Sequence, residues 1–190
     1  DMLRQVQFSK HQLKESEERF SLAVQGTNDG LWDWQVKTNT VYYSPRWKEM
    51  IGYADDELPN HFEEWSVRIH PDDADETMKV LNEHLAGHTP FFEKEIRLRH
   101  KDGSYRWILT RGATVRDESG RPVRMAGSHT DITERKHVNE ELIEREAQYR
   151  SIFEATTDGL IISRPDGAIV EANPAACEMY GYDYEEFIRL

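Results

Sequence analysis

Cysteine is all but absent: Cys177 is the one example in 190 residues. An internal disulfide framework is therefore excluded and a reducing compartment implied. Positive charge is scarce as well. Lys and Arg total 24 against 36 Asp and Glu, for a formal net charge of −12, which argues against nucleic acid or an anionic membrane surface as a partner, because phosphate contacts need clustered cations. No apolar run approaches the roughly 18 residues that suggest a transmembrane helix, and the charged start is unlike a signal peptide. The expected location is the cytoplasm, with no membrane contact in this segment. Catalytic signatures are missing too: there is no Gly-rich phosphate loop, no Gly-x-Ser-x-Gly elbow and no Cys/His nucleophile pair. Asp55-Asp56, Glu63-Glu64 and Asp72-Asp73 are adjacent in sequence and so point apart, which does not make an acid/base dyad. The segment reads as non-catalytic.

What is present is 37% hydrophobic and 11% aromatic residues, enough to bury the core of one ordinary domain and part of another. An internal repeat gives the organisation. Glu17, Thr27, Asp29, Gly30, Leu31, Pro45, Glu49, Met50, Gly52, Tyr53 and Glu57 recur as Glu146, Thr156, Asp158, Gly159, Leu160, Pro174, Glu178, Met179, Gly181, Tyr182 and Glu186. Each pair is 129 positions apart (146 − 17, 186 − 57). The second copy runs out at Leu190, where the first still has most of its sheet to come, so the chain reads as a piece of a longer one. The expected organisation is a linker helix over 1–26, a complete domain over 27–132, a second linker helix over 133–153, and the incomplete start of a second domain over 154–190.

Local patterns assign the elements. Leu31 to Val36 alternates as a strand with Trp32 and Trp34 on one face, and Thr40 to Ser44 returns as its partner. Ser44-Pro45 gives a cap followed by a first-turn proline, opening a short helix that stops at Gly52. His70-Pro71-Asp72-Asp73 opens the longest helix within the domain, running to Gly87, with Met78, Leu81 and Leu85 as the expected buried stripe. Strands over 91–99, 105–115 and 123–130 are joined by Asp102-Gly103, expected as a tight two-residue turn, and by Asp117 to Gly120. These three strands should be antiparallel neighbours. The fold class is therefore α+β. Asp131 and Thr133 are N-cap types and Asp131-x-x-Glu134 has capping-box spacing, so a strand is expected to pass directly into the second linker helix.

Phe92-Glu93-x-Glu95-x-Arg97, Lys101-Asp102-Gly103-x-x-Arg106-Trp107 and Asp131-Ile132-Thr133-Glu134-Arg135-Lys136 together resemble the C-terminal PAC motif of PAS domains. His70-Pro71-Asp72-Asp73 and Gly52-Tyr53 followed by acidic residues are similar to the same family. The likeness covers about Glu17 to Lys136, and Glu146 to Leu190 resembles the start of another such domain. It implies a PAS fold: a five-stranded antiparallel sheet with short helices on one face, flanked by linker helices. It also implies a sensory module that feeds a histidine kinase or a cyclic di-GMP enzyme outside this segment, with Asp131, Ile132 and Thr133 as the signal junction. Asp131 is expected to cap the exit helix or to be held by a basic or hydroxyl group near the domain entrance.

Cofactor chemistry is weighed at named residues. The flavin adduct of light-sensing relatives needs a core Cys, which the complete domain lacks. Haem through His84 is disfavoured, because no second feature supports that histidine. His70, His88, His100 and His129 show no paired spacing, so no metal site is expected and they read as surface residues. Candidates for lining a small-molecule pocket are Trp32, Trp34, Tyr42, Met78 and Phe92. Trp65 and Trp107 add to an aromatic surplus of which at least half should be filled core. Val6, Leu13, Phe20, Leu142 and Tyr149 fall at heptad-related positions of the two linker helices and are the candidate homodimer seam. Two readings stand side by side: a ligand-sensing module, and a ligand-free spacer that holds two chains in register.

Overall fold

The computed structural model describes residues 2–189, and within the first helix the side chains of residues 2–6, 8, 9, 13, 17, 20 and 25 fall outside the described set. Val6, Leu13 and Phe20 are among these, so that half of the expected seam lies outside the described residues. The chain forms two compact units, residues 1–134 and 135–190.

In the first unit, helix α1 (Met2–Thr27) leads into strands β1 (Gly30–Gln35) and β2 (Thr40–Tyr43), helices α2 (Pro45–Met50), α3 (Glu63–Ser66) and α4 (Pro71–Leu85), and strands β3 (Phe92–Arg99), β4 (Tyr105–Arg116) and β5 (Pro122–Asp131). The five strands form one antiparallel sheet in the order β2-β1-β5-β4-β3. β5 therefore closes beside β1, which brings the two ends of the domain together at the centre of the sheet. This is a PAS fold. Its core lies between the sheet and α2 to α4, where Trp32, Trp34, Val41, Tyr43, Trp47, Leu81, Phe92, Ile96, Ile108 and Met125 are buried. The alternation of β1 holds: Trp32 and Trp34 face the core while Leu31 and Asp33 face away.

The caps behave as their residue types require. The Ser44 hydroxyl accepts from Trp47 N ahead of Pro45, and His70 Nδ1 accepts from Asp72 N ahead of Pro71. Three expectations need correction. The β3–β4 connection is residues 100–104, because only Gly103 takes a positive φ and Asp102 spends its carboxylate accepting from Ser104 N. The buried stripe of α4 is Thr77, Leu81 and His84, with Met78 and Leu85 packed at its margin; the Thr77 hydroxyl is internalised by donating to Asp73 O at 2.6 Å. His129 is buried rather than superficial, because the inward parity of β5 gives it the same face as Met125.

Helix α5 (Thr133–Ala155) leads into the second unit, where it is followed by β6 (Ile161–Ser163), β7 (Ile169–Ala172), α6 (Pro174–Tyr180) and α7 (Tyr184–Phe187). Asn173, 129 positions after Ser44, makes the corresponding bonds. Ser44 accepts from Leu31 N and Trp47 N, and Asn173 Oδ1 accepts from Leu160 N and Ala176 N. No helix among the described residues is long and apolar enough to cross a membrane.

Candidate functional site

Two features of the first unit are candidate sites: a cavity behind the sheet, and the junction at residues 131–133 where β5 ends.

The cavity, of about 30 Å³, lies between residues of β1 to β5 on one side and Phe62, Trp65 of α3 and Leu81 of α4 on the other. Its walls are mostly aromatic rings. Trp34 stacks on Phe62 with centroids 4.6 Å apart, and Tyr43 stacks on Trp47 at 3.9 Å. Of the indoles in this core, Trp34 donates to Asn39 Oδ1 at 3.1 Å and Trp47 donates to His129 Nδ1 at 2.7 Å. An indole can only donate, so Nδ1 must be the acceptor and the neutral imidazole carries its proton on Nε2. Burial pushes the His129 pKa down to about 3, which keeps the ring neutral. Among the described residues, Trp32 Nε1, Trp65 Nε1 and Thr110 Oγ1 are buried and meet no hydrogen-bond partner, and all three belong to residues that line this cavity.

The floor beneath Trp32 is unusual. Gly112 and Gly127 face each other in register across β4 and β5, and the indole lies over both. A Cβ on Gly112 would collide with its far edge, and one on Gly127 would strike the same ring and the Arg111 carbonyl. With no side chains there, the sheet is bare, and Trp32 and Phe92 also line a groove of about 680 Å³ on the outer face beside Leu31, Tyr42, Ala113 and Ala126.

Of the pocket candidates named from sequence, Trp32, Trp34 and Phe92 come together at the cavity. Tyr42 points the other way, 55% exposed on the outer face. Met78 packs against the core cluster but lines a shallow surface depression instead. Thr110 and His129, which no sequence pattern singles out for the pocket, also line it. His84 lies elsewhere: its Nδ1 is 3.1 Å from both Thr89 O and Thr89 Oγ1, and its Nε2 is 3.0 Å from Thr114 Oγ1. Both ring nitrogens are therefore engaged by the polypeptide, and burial holds the ring below its ordinary pKa. Among the described residues no group of His, Cys, Asp and Glu is arranged to hold a metal ion.

At the junction, Ile132 N donates to Trp107 O at 2.9 Å and Trp107 N donates to the Thr133 hydroxyl at 2.9 Å, so Ile132 extends the β4–β5 pairing by one residue and the side chain of the first residue of α5 is bonded to β4. Asp131 Oδ1 accepts from Thr133 N at 2.9 Å. The link to the domain entrance is made one residue earlier than expected: the Thr130 hydroxyl donates to Asp29 Oδ1 at 2.8 Å, because successive strand residues point to opposite faces. From the other side, Asp73 near the start of α4 accepts from Arg97 N, Nε and Nη2. The Arg97 guanidinium in turn lies 5.4 Å over the Trp107 ring. The Asp73 carboxyl sits below the usual carboxylate range, chiefly through that Arg97 hydrogen bond.

Comparison with known proteins converges on one family. A profile described as PAS fold matches residues 40–129, and one described as PAS domain matches residues 147–190. The crystal structure of a sensory box histidine kinase/response regulator from Burkholderia thailandensis is 41% identical, covers 70% of this chain and 98% of its own, and superposes with a TM-score of 0.61. The N-terminal domain of a diguanylate cyclase with PAS/PAC sensor from Marinobacter aquaeolei is 25% identical over 57% of this chain and 99% of its own, with a TM-score of 0.52. The sensor protein FixL of Bradyrhizobium diazoefficiens is 28% identical over 90% of this chain, which spans 34% of that relative's length.

Proposed function

The chain belongs to the PAS family of sensory, signal-transducing domains, and from that premise we propose that residues 30–131 relay a change in their sheet and core to α5 through the Ile132-Thr133 junction. The observation that carries the reading is the pair of hydrogen bonds at Trp107 of β4, whose carbonyl accepts from Ile132 N just before α5 and whose N–H donates to the Thr133 hydroxyl at the start of α5. A helix that begins as an extension of a sheet ladder cannot tilt independently of that ladder while both bonds last. The Asp73–Arg97–Trp107 chain of contacts extends the same coupling to the start of α4.

The output domain is a histidine kinase or a diguanylate cyclase beyond this segment, a reading supported by relatives of both kinds. Catalysis belongs to that domain, and residues 1–190 supply the input. The single cysteine and the negative charge support a cytoplasmic setting.

Thr133→Val in the longer protein tests the relay. It removes the acceptor for Trp107 N and keeps the side-chain shape, so it should cost about 1–3 kcal/mol of stability. It should also abolish most of the stimulus-dependent change in kinase or cyclase activity while circular dichroism stays native. An unchanged dynamic range in a folded variant would defeat the proposal.

A further inference from the structure

Helix α5 is fastened to the second unit at two levels. The Tyr149 hydroxyl donates to Glu171 Oε2 of β7 at 3.0 Å, and the Tyr149 ring stacks on Phe153 with centroids 5.4 Å apart. Phe153 is buried. Its carbonyl is among the last four of α5, which a helix cannot satisfy from within, and it accepts from Asn173 Nδ2 at 3.0 Å. The same amide reaches Thr156 O at 3.4 Å and Asp158 O at 2.9 Å. Residues four apart lie on one face of a helix, one turn from each other. A single contact would let α5 turn about its axis, whereas two contacts a turn apart, made to Glu171 and Asn173 at the end of β7, resist that rotation.

The first unit cannot make the same fastening. At the positions 129 earlier stand Phe20, Tyr42 and Ser44, which lack in turn the hydroxyl, the carboxylate and the amide. The hydrogen bond from Arg46 Nε ends on Asn28 O, one residue past α1. We infer that Tyr149, Glu171 and Asn173 form a receiving latch, which locks the rotation of α5 to the second unit and has no counterpart between α1 and the first. A change that enters α5 at Thr133 is thereby delivered forward into the second unit. The inference rests on the relay reading for its direction, but the latch is measurable without any signalling output, so the two fail separately.

The test uses the whole chain carrying Cys177→Ala and nitroxide pairs at exposed positions that the repeat makes equivalent. The α5 pair is Arg145→Cys with Glu178→Cys, and the α1 pair is Ser16→Cys with Glu49→Cys. Pulsed electron–electron resonance, on samples diluted with unlabelled chain, reads each distance distribution. The α5 pair should give the narrower one. Tyr149→Phe, which keeps the ring on Phe153, and Glu171→Ala should each widen it, and the two together no further than one alone, because they break the same bond. Phe20→Tyr with Tyr42→Glu should narrow the α1 pair. Equal widths in the otherwise unaltered chain, or an α5 width indifferent to both Tyr149→Phe and Glu171→Ala, overturn the inference. In the longer protein Tyr149→Phe should lower the stimulus-dependent change in output several-fold. A full response there, with Thr133→Val still silencing it, removes the receiving role and leaves the relay standing.

Discussion

His129 shows how one residue sets a property of the whole domain. Its ring is 3% exposed and accepts the Trp47 indole proton, and burial lowers its pKa to about 3 from about 6.5 in an unfolded chain. Because the folded value is the lower one, the unfolded state binds more protons at mildly acidic pH. The stability it confers is therefore fully present above pH 6.5 and is lost as pH falls from there towards 3. His84, also depressed by burial, acts in the same direction. His129→Gln keeps an acceptor for Trp47 and removes the titration. Urea unfolding of this variant between pH 6.5 and pH 4 should lose about one proton's worth of pH dependence, about 1.4 kcal/mol per pH unit. An unaltered slope would mean that His129 is already charged in the fold. This histidine was only half legible in the sequence. The alternation of β5 puts it on the inward parity, but its partner is 82 residues away, in a helix where Trp47 sits between Arg46 and Lys48 and so gives no apolar stripe. Even Lys48 is buried, its stem covered while Nζ reaches the carbonyl and carboxylate of Asp55.

Elements were read more easily than sites, and for a physical reason. Strands, hairpins and caps are set by near neighbours: Ser44 before Pro45, His70 before Pro71 and Gly103 in its turn each act within a few residues. The passage from β5 into α5 is legible for the same reason, whereas the Thr130–Asp29 bond spans 101 positions and has no local signal. The repeat supplies a comparison between equivalent elements. Ser44 and Asn173 both bond the strand before them and the helix after them, but Asn173 Nδ2 also donates to Phe153 O at 3.0 Å and Asp158 O at 2.9 Å. That holds the end of α5 and the turn after it to the start of α6, which a serine is too short to do. Asn173→Ser should keep the two acceptor bonds and lose the donor set, leaving carbonyls near the end of α5 to water. Amide exchange in residues 150–158 should quicken by at least tenfold while exchange in β7 and α6 changes less, as expected for a loss of about 1–2 kcal/mol confined to one helix end. Uniform acceleration across the second unit would show instead that Asn173 only supports folding.

For the whole molecule the open question is association. Val138, Leu142, Tyr149 and Ile152 are exposed on α5 at spacings that place them on one heptad seam, on a helix otherwise rich in charge. Our reading is that two copies pair along this seam. Sedimentation equilibrium should find a dimer whose dissociation constant rises at least tenfold in Leu142→Glu, with little change in thermal stability of residues 30–131. A wild-type chain that stays monomeric at high concentration would remove the seam from consideration.

The hydrogen bond from Thr130 to Asp29 has a consequence for how such chains are assembled. It closes the domain where it begins, so the two ends of the hundred residues between lie side by side. A module with joined ends can be inserted into a helical rod, duplicated or removed without changing the spacing of what lies on either side. The constant step of 129 residues is what such an assembly leaves in a sequence.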